Sequence, residues 1–190
     1  MRLNDPLPSE VELDGETYPI NLAFDNVLDV FDVMANKELS ELDKIEMAIT
    51  FLFEEEKPPI EKWITLWQKT YEELIMNDSN KPQVDLKGNI IPPKPGRKRF
   101  IDLKQDAPYI YASFRFAGID LFKEQGILQW SQFQALLEGL PEESIIQRII
   151  KIRQWEPAKG DSNEYREEMR KLQREYQLED DYEGGEEDDE

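Results

Sequence analysis

The chain carries 42 carboxylates and not one histidine or cysteine. Carboxylates can hold hard cations or move protons, so their spacing is the first thing to weigh. Zinc sites of the usual kind need imidazoles or thiolates, and both residue types are missing. Asp78-Ser79-Asn80 is similar to the opening of a calcium loop, but the required spacing and the closing Glu do not follow. No glycine-rich phosphate loop and no nucleophile elbow occurs. The expectation is a protein that is not an enzyme, with no catalytic residue, no metal ligand and no cofactor.

Charge is the next constraint. Against 42 acids stand 23 bases, a formal net charge of −19. The run from Glu179 to Glu190 holds nine carboxylates and no base, and taking these from −19 leaves −10 on the rest. Binding to nucleic acid draws its affinity from Lys and Arg displacing counterions, so it is disfavoured. Anionic membrane surfaces are disfavoured for the same reason. A basic partner, or solubility alone, fits better. With no cysteine there is no disulfide framework, which suits a reducing cytosol. The N-terminus has no apolar signal-peptide core, and no stretch approaches the ~20 apolar residues of a membrane helix. A cytosolic protein is expected.

Only 39% of the residues are apolar and the mean hydropathy is −0.70, so some segments should be exposed or disordered. The elements that remain read as mainly α. After an extended arm at 3–8, Glu10 to Ile20 reads as a β-hairpin turning at Asp14-Gly15, with Val11, Leu13, Tyr18 and Ile20 on its strands. A helix then starts near Phe24, with Phe24, Val27, Leu28, Phe31 and Met34 on one face and Asp25, Asp29 and Asp32 around it. Ser40 and Asp43 form a capping box with the shorter acid. The helix they open carries Leu42, Ile45, Ile49 and Leu52 and ends in Glu54-Glu55-Glu56. A third helix runs from Ile60 to Met76, with Trp63, Leu66, Trp67, Thr70 and Leu74 as its stripe.

A long central loop follows at 77–100, rich in Pro, Gly, Asn and Lys, with a basic cluster at Lys94, Arg97, Lys98 and Arg99. The cluster reads as a tethering patch or as plain neutralisation of nearby acids. The fourth helix, Asp102 to Ala117, turns regular close to Asp106, places Ile110, Phe114 and Ala117 on one face and stops at Gly118. The fifth, Gln129 to Leu140, lines up Trp130, Phe133, Leu137 and Leu140. Pro141 opens the sixth, with Ile145, Ile149 and Ile152 as its stripe. This helical domain, with its hairpin and loop, occupies 1–156. Residues 157–178 are a linker and a charged helix, and 179–190 an acidic disordered tail.

The charged helix has a thin apolar stripe of Tyr165, Met169, Leu172 and Tyr176. Trp155 stands just before it, as suited to an interface as to a core. These five are the candidate partner-binding residues.

Three stretches together are specific. They are DAPYIYASFRFAGIDL (Asp106 to Leu121), LQWSQFQALLEGLP (Leu128 to Pro141) and the closing IIKIR (Ile149 to Arg153). With Leu7 to Phe24, they resemble a tail assembly chaperone-like family from the tail-gene module of siphophages and prophages of Gram-positive bacteria. The resemblance implies a chaperone that coats the tape measure protein and recruits major tail tube subunits around it. Such a protein works in the host cytoplasm and is absent from the mature virion. Self-association is compatible with that role. The resemblance makes Trp130, Phe133, Leu136, Leu137, Gly139 and Pro141 structural residues of a helix–turn–helix unit. Two alternatives stand beside it: a structural virion component such as a head–tail connector, and an acidic DNA mimic that blocks a host nuclease.

Overall fold

Two residues with positive φ, Asp14 at 54° and Gly15 at 79°, reverse the chain at the tip of the hairpin. Positive φ at both central positions gives a turn whose twist matches the flanking strands. Strand β1 (Glu10–Leu13) pairs antiparallel with β2 (Glu16–Pro19), setting Val11 opposite Tyr18. Both side chains are buried, as is Ile20 just beyond.

The computed structural model describes residues 3–53, 57–76 and 99–179. The central loop up to Lys98, the Glu54-Glu55-Glu56 helix end and the acidic tail from Asp180 onward lie outside them. The described residues are mainly helical: α1 Phe24–Ala35, α2 Glu41–Leu52, α3 Trp63–Thr70, α4 Ala107–Phe116, α5 Trp130–Glu138, α6 Ile145–Gln154 and α7 Asn163–Glu175. They divide into two compact units. One takes the described residues of Met1–Pro93 and Phe122–Glu138, the other those of Lys94–Leu121 and Gly139–Glu190.

In the first unit α2 packs on α1 and α3, β1 packs on α3, and α1 and α5 share an aromatic cluster. The Phe24 and Phe133 rings stack with centroids 5.0 Å apart, Trp130 stacks on Phe133 at 5.6 Å, and Phe31 meets Trp130 edge-on at 5.4 Å. The starts of α1 and α5 are zipped together: Phe24 N donates to Leu128 O at 2.9 Å and Trp130 N to Leu22 O at 2.7 Å. Helix α1 packs on both α2 and α5, and its buried face differs from the expected one. Val30 and Val33 are buried with Phe24 and Val27, whereas Leu28, Phe31 and Met34 are only half-buried.

Ser40 caps α2 as expected, but the Asp43 carboxylate meets the Ser40 hydroxyl rather than closing a reciprocal capping box on its backbone N–H. Ser40 Oγ accepts from Asp43 N at 3.2 Å and donates to Asp43 Oδ2 at 2.6 Å. On α2, Ala48, Ile49 and Leu52 are buried, while Leu42, expected inside, is 55% exposed. The third helix is not uniform. A 3-10 turn (Ile60–Lys62) leads in, and a π turn (Tyr71–Ile75) closes it, with Met76 N donating to Tyr71 O at 2.8 Å. The wider turn delays the helical phase by one residue. Ile75 is therefore buried where Leu74 was expected. The Ile75 carbonyl, left over at the helix end, accepts the Trp130 indole N–H at 3.0 Å.

In the second unit α4 and α7 both pack on α6. Asp106 is the N-cap of α4 and Pro108 sits in its first turn, where the missing N–H costs nothing. Gly118, at φ 88°, donates to Arg115 O at 3.0 Å while Ile119 N reaches Phe114 O at 2.9 Å, a Schellman stop. Ala117 is exposed rather than part of the inner face, because the chain has already begun to turn there. The sixth helix opens at Ile145, after a turn from Pro141, and buries Ile146 and Ile149 more deeply than Ile145 and Ile152.

Its first turn is capped from another helix. Ser113 Oγ on α4 accepts from Ile146 N at 3.0 Å and donates to Tyr109 O at 2.7 Å. Ser113→Ala leaves the buried Ile146 N–H unpaired and should cost ~1–3 kcal/mol in urea unfolding. A midpoint equal to wild type would show that this cap is dispensable.

Candidate partner-binding site

The two ends of the motif-rich stretch meet. Arg153, near the C-terminus of α6, forks onto Asp106, with Nη1 2.6 Å from Oδ2 and Nη2 2.8 Å from Oδ1. The side chains are 8% and 1% exposed. Arg153 Nη1 also donates to Phe100 O at 3.0 Å, and Nε to Tyr176 O at 2.6 Å. The Asp106 carboxylate caps no N–H of its own helix, but accepts one from Asp102 at 2.9 Å. One guanidinium thus ties together the approach to α4, the end of α6 and the end of α7. Arg suits such a point because its planar fork offers several donors at fixed angles.

This clamp positions α7. Its N-cap Ser162 accepts from Tyr165 N at 3.1 Å. Gln173 Nε2 donates to Ile152 O at 3.0 Å and Trp155 O at 2.8 Å. Past the helix, Leu178 is buried and Glu179 N donates to Gln105 Oε1 at 2.9 Å. The five candidate partner-binding residues lie along this seam. Trp155 meets Tyr165 edge-on at 6.0 Å, and Tyr109 meets Tyr176 edge-on at 6.0 Å. Met169, Leu172, Tyr176 and Trp155 are half-buried; Tyr165 is 44% exposed. The stripe is thus engaged within its own unit, with Tyr165 as its open end.

The six motif residues differ in burial. Trp130 and Phe133 are buried in the first unit's aromatic cluster. Leu136, at 37%, lies at that unit's surface and Leu137 is half-buried. Gly139 and Pro141 are exposed at the start of the second unit's later stretch. The sequence reading missed Asp106, Arg153 and Ser113 as partners. The available signal was an Arg closing an Ile-rich helix, which reads equally well as a helix-end charge beside Lys151.

Electrostatics add little reactive chemistry. The hydrogen bond from Lys62 Nζ, 2.7 Å away, holds the Glu16 carboxyl below its ordinary range, helped by the Tyr18 hydroxyl. Both are solvent-accessible, so this clasp contributes little to stability. Burial, then the Asp25 and Asp32 charges, pushes the Asp29 carboxyl up. Among the described residues no group of three acids comes together to hold a metal ion, and no helix is long and apolar enough to cross a membrane.

The fold therefore defines a mainly helical protein with an N-terminal β-hairpin, in which the buried Asp106 and Ser113 side chains join helices. The family described as Bacteriophage Gp15 protein matches residues 3–178, nearly the whole chain, and the chain belongs to this bacteriophage family. The clamp, α7 and the motif-rich stretch all lie inside the match. No curated protein and no solved structure matches the chain.

Proposed function

We propose that this phage protein is a tail assembly chaperone. It binds the tape measure protein without enzymatic action, recruits major tail tube subunits in the host cytoplasm, and leaves before the virion matures. The observation that carries the reading is a strongly acidic chain of net charge −19 that keeps large apolar side chains in water. Ile60 is 61% exposed, Ile64 51%, Phe116 66% and Ile127 67%. Charge keeps such a protein soluble while apolar surface stays free for a client.

Mass spectrometry of purified particles tests this. The chaperone is expected to be absent or sparse; a fixed stoichiometry in every particle would make the chain a virion component instead. Removing everything after Glu156 is a poor test of α7, because it also strips Tyr176 O from Arg153 and Leu178 from its site. Tyr165→Ser, at the open end of the stripe, leaves those contacts in place.

A further inference from the structure

We infer that the outer edge of α3 is a docking stripe for a basic amphipathic helix of the partner. The inference rests on the chaperone reading for the partner's identity and deepens it by naming a surface.

Positions 60, 64, 67 and 71 advance in steps of four, three and four, so they line one side of the 3-10 turn, α3 and the start of the π turn. All four are large and apolar: Ile60 and Ile64 are exposed, Trp67 and Tyr71 half-buried, with the two rings 5.3 Å apart. The helix does not need this line for its own core. It buries Leu66 and Thr70, both 0% exposed, about a quarter-turn away. An exposed apolar line at this spacing is the pattern by which one helix receives another. From Ile60 to Tyr71 the stripe is roughly 16 Å long, enough for a partner helix of three turns.

Charge selects the occupant. The residues bordering the stripe on its solvent side are Glu61, Gln68 and Glu72, all exposed. The cations of this helix are drawn to the hairpin instead: Lys62 Nζ lies 2.7 Å from Glu16 Oε2, and Lys69 Nζ donates to Glu12 O at 2.7 Å. A second copy of the chain would bring the same carboxylates face to face. A foreign helix with apolar residues at i, i+4, i+7 and i+11 and Lys or Arg beside them fits both the shape and the charge.

The test uses a fluorescein-labelled helical peptide with Leu at those four positions flanked by Lys, and a twin with Glu in place of Lys, titrated into the full chain by anisotropy. The Lys peptide should bind at least about tenfold more tightly than its twin. Ile64→Glu and, separately, Ile60→Glu should each weaken it by about tenfold or more while leaving the circular dichroism unchanged. Glu61→Lys with Glu72→Lys should reverse the preference. Equal binding of the two peptides, no binding of either, or indifference to both Ile variants would overturn the inference. So would a concentration-dependent dimer that Ile64→Glu abolishes, since the occupant would then be a second copy. None of these outcomes bears on whether the wild-type chain binds the tape measure, so failure of the surface and failure of the function remain distinguishable.

Discussion

Arg153→Met should lower the stability of the second unit by ~3–5 kcal/mol, the usual cost of breaking a buried ion pair from one side. The substitution leaves the Asp106 carboxylate, 1% exposed, with a charge and no counter-charge. It also takes the guanidinium donors from Phe100 O and Tyr176 O. Amide hydrogen exchange should show α4, α6 and α7 losing protection together, because the lost bonds reach the approach to α4, the end of α6 and the end of α7. The double variant with Asp106→Leu should recover part of the loss, since an apolar pair of similar volume leaves no stranded charge. A cost below about 1 kcal/mol for Arg153→Met would mean that the pair is hydrated rather than buried.

Phe133→Ala should be as damaging to the first unit, at ~3–5 kcal/mol by urea unfolding. Phe133 is 2% exposed and lies between Phe24 at 5.0 Å and Trp130 at 5.6 Å. Its removal costs the transfer energy of the ring and leaves a cavity that two stiff aromatic neighbours cannot close. Leu136→Ala on the same helix is the control. That side chain is 37% exposed, and its loss should cost less than about 1 kcal/mol. Similar losses at the two positions would show that α5 contributes through helix propensity rather than through the aromatic cluster.

What could be read from the sequence was local. Asp14-Gly15 turns the hairpin because both positions need positive φ, Ser40 caps α2 because its hydroxyl reaches Asp43 N, and Gly118 stops α4 in a left-handed conformation. Each is decided by a few neighbouring residues. The burial of Val30 and Val33 on α1 is not, because that helix packs on both α2 and α5, and α5 lies about a hundred residues along the chain. The π turn that moves Ile75 inward ends where an indole from the same distant segment arrives. The Asp106–Arg153 clamp and the Ser113 cap join residues whose one-dimensional contexts show only a helix start, a helix end and a helix interior.

The candidate site divides in the same way. Tyr165, Met169, Leu172 and Tyr176 were legible as a stripe by their spacing, but spacing does not say what a stripe meets, and here α6 and Tyr109 take part of it. Conversely, periodicity counted Trp67 toward the core of the third helix, whereas exposure places Ile60 and Ile64 beside it on an open edge.

Co-expression with the tape measure protein of the same phage, tagging this chain and scoring solubility and co-purification, tests the proposed chaperone function most directly. The tape measure protein should become soluble and co-purify with the wild-type chain. A tape measure protein that stays insoluble and unbound beside a folded, soluble partner would contradict it.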